Sequence, residues 1–480
     1  MEENRYPGIY EKSPWETAMG RVLMGIGLTS LTLNFWNLDH ILPAIGTVLA
    51  VLGFYALRKE NIWFRSCFLL AAVRAGLFWV FLILNTTILP SLYSQGESAW
   101  ILVSLALAMA EFFCLWRGFR AVRQRTGLPP RAGGASALMA WYGGMYLLAA
   151  IHYQGLLAAS GMIAGLVLIL RSLYKQTKET AEAGAELSVR VALAEERRIV
   201  LSLVLILFVG GTCGYLLGGR YPMEWEEEPL SVPEDVARIR EELMELGFPE
   251  YVLNDLSPED LRACGGACRV VVDVSDQMVS EGWKRTMKYN KEEGRLEEVN
   301  RRKEEELRLT GVGVRIPGER DTWRIFHHFQ WLSRPSFHGT EALQLWPVYR
   351  DIPEGWQACG EVTGQVLYEK DGTRYRSPYY RLETRTAVSD TVFWGPREQT
   401  DVFAAFSMPR RGDAWSGYVS YPAREIQDGY IISSWLNYTH QRSWLQYPVM
   451  TAMEKRMSNG WNSAGAFITA QSALQFDPEE

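Results

Sequence analysis

Residues 199–219 read IVLSLVLILFVGGTCGYLLGG, an uncharged run closed by Arg197 and Arg198 on one side and Arg220 on the other. A helix needs about 20 apolar residues to cross a bilayer core roughly 30 Å thick, and this run has that length. Apolar runs dominate the chain before it and are nearly absent after it. The run therefore joins a membrane half to a water-exposed half. The expected fold is a multi-pass α-helical membrane domain over residues 1–220 and a juxtamembrane helical linker over 221–268. An extracytoplasmic, mainly-β domain of sandwich or jelly-roll type occupies 269–480.

Seven runs read as spans, at about 20–37, 41–57, 66–89, 98–116, 135–151, 155–171 and 199–219. Basic residues fill every second connection: Arg58, Lys59 and Arg65; then Arg117, Arg120, Arg123, Arg125 and Arg131; then Arg171, Lys175, Lys178, Arg190, Arg197 and Arg198. The alternate connections, near Asp39, Ser91–Glu97 and His152, carry no Lys or Arg. Positive-inside bias then puts the N-terminus in the cytoplasm and the C-terminal domain outside the plasma membrane. The first apolar run is followed by more spans and not by a small-residue cleavage site, so no cleavable signal peptide is expected.

Two charges fall inside spans, Arg74 in the third and Glu111 in the fourth. At 1.5 Å per residue they lie roughly 12 and 9 Å in from the same side. The two spans are consecutive and antiparallel, so the charges are expected to pair. Pairing removes much of the roughly 2.5–3.5 kcal/mol that one charge costs at mid-membrane. Gly161 and Gly165 in span six, and Gly210, Gly214 and Gly218 in span seven, have the four-residue spacing that lets helices approach closely. These faces are expected to pack on the bundle or on a second copy. Thr180–Glu196 is rich in helix formers, and Leu187, Val191 and Ala194 make one stripe, so a cytoplasmic helical hairpin is predicted there.

Charge divides unevenly. Residues 1–219 hold 18 Lys and Arg against 13 Asp and Glu, which leaves 31 against 42 for the rest. An acidic soluble half argues against nucleic acid as a partner and gives no reason to expect docking on anionic lipid. Cys67, Cys114 and Cys213 lie in apolar runs; Cys264, Cys268 and Cys359 lie in the soluble half. The spacing of Cys264 and Cys268 allows a disulfide across a turn. The cysteines give no zinc-ligand pattern, and neither a metal nor a cofactor is expected.

Past residue 220 an acidic tether (Glu224, Glu226, Glu227, Glu228) leads to a helical unit. Val236, Ile239, Leu243 and Leu246 fall at helical spacing, and Ser257-Pro258 opens a second short helix. This unit reads as a coupling element or spacer, or as a cap on the β-rich domain. From Arg269 the period changes to two. Strands are predicted at 270–274, 322–332, 366–368, 375–386, 402–408, 417–420, 430–438 and 464–470, with turns between them. Such strands with few helices point to an antiparallel sandwich or jelly roll. Glu292–Glu306 reads as a charged solvated helix or loop, and Val449–Met457 as a short helix.

The chain has no G-x-S-x-G, phosphate-binding loop, H-E-x-x-H or G-x-G-x-x-G, so an enzyme is disfavoured. His327 and His328 are adjacent in a predicted strand and face opposite ways, so they cannot chelate one metal together. Asp273 and Asp276 read as turn acids, Arg411-Gly-Asp413 as a turn, and Asn437-Tyr-Thr439 as a glycan acceptor only in a glycosylating cell. The outstanding feature is aromatic: eleven of 18 tryptophans lie after residue 220. Trp394, Trp415, Tyr421, Trp435, Trp444 and Trp461 are the candidate surface for a cell-wall glycan or a protein partner. The leading reading is a plasma-membrane protein displaying an outer binding domain and relaying occupancy through the last span, with homo-oligomerisation through spans six and seven. The alternative is a transporter, or an accessory subunit of one, with Arg74 and Glu111 in its path.

Overall fold

The computed structural model describes residues 12–30, 35–92, 97–151, 153, 155–188, 191–229, 231–290, 295–318, 322–347, 355–391, 395–443, 446–458 and 465–479. Some of these, including 280–290 and 295–304, are described by backbone alone. The chain divides into two compact units, Met1–Leu216 and Leu217–Glu480.

The first unit is helical: α1 (Pro14–Ser30), α2 (Leu38–Leu57), α3 (Ile62–Leu84), the single turn α4 (Leu89–Leu92), α5 (Glu97–Arg125), α6 (Gly133–Ala150), α7 (Leu156–Glu182) and α8 (Leu193–Leu217). Five of these, α2, α3, α5, α7 and α8, are long and apolar enough to cross a membrane. The other two long helices, α1 and α6, have 17 and 18 residues and fall short of that standard. Trp15, Met19, Phe54, Phe64, Phe112, Phe119 and Leu173 form the buried centre. Leu201, Val204, Leu205, Phe208 and Val209 on α8 are all at least half exposed.

The predicted helix across Thr180–Glu196 is interrupted. α7 stops at Glu182, Gly184 takes a left-handed φ of 89°, and α8 starts at Leu193. Leu187 and Val191 therefore lie in a loop and share no helical stripe with Ala194. Side chains hold this loop. Glu60 accepts from Ser188 N (2.6 Å) and pairs with Arg125 (3.0 Å), while Arg21 pairs with Glu196 (2.7 Å) and Tyr55 donates to Glu195 (3.0 Å).

The second unit is built on two antiparallel sheets. Its strands are β1 (Glu226–Glu227), β2 (Arg269–Asn290), β3 (Arg295–Ile316), β4 (Thr322–Trp331), β5 (Glu341–Trp346), β6 (Trp356–Ala358) and β7 (Thr363–Lys370). They continue as β8 (Thr373–Pro378), β9 (Arg381–Thr391), β10 (Gly395–Phe406), β11 (Asp413–Glu425), β12 (Ile432–Gln441) and β13 (Phe467–Phe476). One sheet runs β1-β8-β7-β11-β4-β3-β2, with β6 beside β11, and the other β13-β12-β5-β10-β9. Trp323, Phe329, Trp331, Leu343, Phe406, Tyr421, Leu436 and Tyr438 belong to one large buried apolar cluster.

The helices α9 (Glu234–Glu245), α10 (Glu250–Leu253) and α11 (Pro258–Arg262) pack against the eight-stranded sheet. Val236, Leu243, Phe248, Val252 and Leu261 meet Val312, Val314, Phe326 and Tyr418 there. Of the two readings of this unit, the packing is that of a cap on the sheet. The acidic tether is also ordered: Glu226 and Glu227 pair with Arg376 and Tyr375 of β8, and Glu228 lies 3.4 Å from Arg374. A last short helix, α12 (Ala452–Met457), opens with a capping box of Thr451 and Glu454.

The largest departure concerns residues 292–306. The charged helix or loop expected there is part of a long hairpin in which β2 and β3 pair from Arg269↔Arg315 to Asn290↔Arg295. Pairing of β3 with β4 ends at Leu307↔Trp331; Leu332 N still donates to Glu306 O at 2.9 Å and Ser336 N to the Glu305 carboxylate at 2.7 Å, and among the described residues 295–304 run on beside β2 alone. At about 3.4 Å per residue this is a ribbon roughly 34 Å long. β9 and β10 do the same on a smaller scale, because β5 covers only Val402–Phe406 of β10.

Candidate functional site

Among the described residues two groups bring chemistry together. In the helical unit, Arg74 on α3 places a guanidinium nitrogen 2.6 Å from Glu111 Oε2 on α5. Glu111 is 2% exposed and the Arg74 side chain 23%. Close by, Tyr142 on α6 shares a 2.8 Å hydrogen bond with Ser30 at the end of α1, and its ring packs on Phe112 with centroids 4.8 Å apart. Cys67 donates to the Glu111 carbonyl at 3.6 Å. The ion pair closes on itself, as a register pin between two helices does.

The glycines are used unevenly. A Cβ on Gly210 would stand 2.6 Å from Ile83 Cδ1, and one on Gly214 would strike Thr86, so α8 lies directly on the end of α3. Gly218 is just past the last helical residue. On α7, Gly165 faces the Trp141 ring at 3.6 Å, whereas Gly161 has open space. The tightest helix approach is elsewhere and is not flagged by the sequence pattern. Cβ atoms on Gly25 and Gly46 would meet the facing backbone at 2.7 and 2.9 Å, and one on Gly53 would meet Ala18 O at 2.7 Å. The four-residue spacing flags glycine pairs on one helix; this contact is shared between α1 and α2.

In the β-rich unit the cap is fastened by two buried carboxylates. Asp255 accepts a 2.7 Å bond from His328 and a contact from Arg374. Burial works against its charge, but His328, Arg374 and Ser416 outweigh it and hold the carboxyl below its usual range. Asp260 takes Arg324 (2.5 Å), Thr363 (2.6 Å), Ser257 (2.9 Å) and the Tyr418 hydroxyl. His327, one residue before His328, points the other way and meets Ser434 at 2.6 Å. Burial pushes its imidazole down to about 3. At the end of the five-stranded sheet, Glu341 and His440, both fully buried, meet at 2.8 Å. Burial raises the Glu341 carboxyl, opposed by His440 and Tyr438.

Two sequence readings are corrected here. Trp415 and Tyr421 are 1% and 0% exposed and belong to the core, so they present no binding surface. Their strand, β11, lies between β7 and β4, and its side chains are covered on both faces. Trp435 is half-buried against Trp346, with centroids 6.3 Å apart. Trp394, Trp444 and Trp461 lie outside the described residues. The Cys264–Cys268 disulfide is not formed. Cys264 is buried under the cap, its thiol pushed up to about 12 by burial, while exposed Cys268 already donates its N–H to Arg315 O at the start of β2. Asn437 is 4% exposed within β12, which closes it to a glycan. Asp276 forms a surface pair with Arg308 at 2.7 Å. Among the described residues no group of three His, Cys, Asp or Glu is placed to hold a metal ion.

Five apolar helices joined to an antiparallel β-rich half define a membrane-associated protein. No family model and no curated protein matches the chain. Among solved structures, a pore forming protein is similar over 43% of this chain and 91% of its own, at 6% identity and a TM-score of 0.17. A likeness of that size defines neither the fold nor the activity.

Proposed function

We propose that the chain is a multi-pass plasma-membrane protein whose β-rich unit stands outside the cytoplasm and docks a protein partner on its β2–β3 ribbon. The observation that carries this reading is the ten-residue stretch 295–304 of β3 that runs on past β4 and the residues just after it. Beyond that point both outer edges of the hairpin are without a strand partner among the described residues, and such edges accept an added strand through main-chain hydrogen bonds. Burial of Trp415 and Tyr421 removes two members of the aromatic platform that glycan binding would use, which favours a protein partner. The grip of α8 on the bundle, at Glu195 and Glu196 near one end and at Gly210 and Gly214 near the other, gives occupancy a route to the cytoplasmic loop. A photo-crosslinking residue at Thr286 in the ribbon should give a discrete cell-surface adduct, and one in the β7–β8 turn at Asp371 should not. Equal labelling from the two positions would contradict partner docking on the ribbon.

The transport reading rests on Arg74 and Glu111. Their 2.6 Å contact favours a structural pin over a path for ions. Flux through reconstituted vesicles that Glu111→Gln abolishes would reverse that preference.

A further inference from the structure

Where α3 begins and α5 leaves its apolar stretch, aromatic rings and cations share one patch. Trp63 lies in the first turn of α3, and Trp116 on α5 is followed by Arg117 and Arg120. Asn61, which caps α3, donates to Gly118 O at 3.1 Å and so holds these two segments level. Phe113 joins the tryptophans: its ring centroid is 6.0 Å from that of Trp63, edge-on, and 5.8 Å from that of Trp116. Arg117 stands 4.9 Å over the Trp63 ring and 5.9 Å over that of Trp116, and Arg120 stands 5.4 Å over Trp116. Phe113 and Arg117 are exposed, and Trp63, Trp116 and Arg120 are half-buried.

Stacking uses the face of a guanidinium and leaves its in-plane N–H donors available. Among the described residues Arg117 and Arg120 meet these rings and neither is paired with a carboxylate. Both lie over the Trp116 ring, which keeps them within reach of one bound group. Apolar surface continues from the patch along α3, where Leu69 and Val73, about two and three turns beyond Trp63, are exposed. The patch therefore has a cationic end and an apolar track leading away from it.

We infer that Arg117 and Arg120, set on the rings of Trp63 and Trp116, bind the phosphate of an anionic phospholipid whose acyl chains lie along Leu69 and Val73. The inference rests on α3 and α5 crossing the membrane, as in the proposed function. Tryptophans near the ends of spans sit at the headgroup level, and basic pockets between helices at that level take anionic headgroups. Guanidinium forks match phosphate oxygens two at a time. Two cations at one headgroup favour a lipid of net negative charge over a zwitterion, whose own ammonium they repel. A free phosphate would leave the apolar track unused, which favours the lipid as its source. In the sequence, Arg117 and Arg120 counted only toward orientation, because Trp63 is brought beside Arg117 by the packing of α3 on α5.

The test uses the full-length protein in a maltoside detergent, which contains no phosphate. Native mass spectrometry with added phosphatidylglycerol should show lipid retained by the wild type, severalfold more than phosphatidylcholine of the same chains. The double variant Arg117→Gln/Arg120→Gln should weaken retention of phosphatidylglycerol by about tenfold or more. Arg238→Gln, at an exposed position on α9, should leave it unchanged. Should the double variant fail to fold, Arg117→Gln alone, at an exposed position, should still weaken retention severalfold. Equal retention by the wild type and the Arg117 variants, or equal retention of the two lipids, would overturn the site. Saturation by inorganic phosphate with no gain from phosphatidylglycerol would overturn the lipid assignment. Release of the wild-type chain from cell membranes by alkaline carbonate would instead overturn the membrane reading, and this inference with it.

Discussion

In the helical unit, Arg74 and Glu111 meet at 2.6 Å across two apolar helices, with Tyr142 and Ser30 nearby. In the β-rich unit, Asp255 and Asp260 are each held by several partners and fasten a helical cap to a sheet. The solvent explains the contrast. Helices in lipid gain little from burying apolar surface against each other, so close glycine contacts and one polar pair set their register. The β-rich unit drives its aromatics inward, and its buried carboxylates then fix which face of the cap meets the sheet. A lost partner should therefore cost much in both units, but through different measurements.

The largest effect is expected at the ion pair. Glu111→Leu leaves a guanidinium uncompensated and should destabilise the helical unit by roughly 3–5 kcal/mol, read as detergent-resistant helicity on heating. The double swap Arg74→Glu/Glu111→Arg should recover most of it. No recovery would mean that the two residues do not act as a pair. Next, Asp260→Ala strands Arg324 and frees Tyr418 and Thr363, for about 3 kcal/mol. It should expose 234–262 to protease while leaving the helical unit's melting unchanged; loss of both together would erase the distinction between the units.

Gly214→Leu should cost about 1–3 kcal/mol by driving α8 off Thr86 and Thr87, with the β-rich unit still folded. The smallest effect is a slope. Folded His327, held at about 3, stays neutral where the unfolded imidazole takes up a proton below roughly pH 6.5. Stability of the β-rich unit should thus fall as pH drops from about 6.5 toward 3, by up to about 1.4 kcal/mol per pH unit from this residue. His327→Gln should flatten the urea-unfolding pH profile by about one proton. An unchanged profile would show that the imidazole is not neutral in the folded protein.

Much of the layout was readable because membrane helices announce themselves by length and apolarity. The positions of Arg74 and Glu111 followed from counting residues along two such helices. Alternation placed β4 well, and adjacent histidines on opposite faces needed only the strand period. Other features depend on partners distant in sequence. Gly25 and Gly46 meet across two helices, and Trp415 is buried because β11 is a central strand. The ribbon at 295–304 was hidden because Glu297, Glu298, Arg301, Arg302 and Lys303 suit a solvated helix as well as a solvated strand. Only pairing with β2 decides between them. Cys264 and Cys268 have bridging spacing, but one turns under the cap while the other begins a strand.

The central claim is that α8 separates a cytoplasmic loop from a β-rich unit outside the cell. Single cysteines at Asp371 and at Lys178, in a background lacking the six native cysteines, can be probed on intact cells with a membrane-impermeant maleimide. The proposed orientation predicts that the Asp371 position is labelled at once and the Lys178 position only after permeabilisation. Labelling of Lys178 on intact cells with Asp371 protected would contradict it.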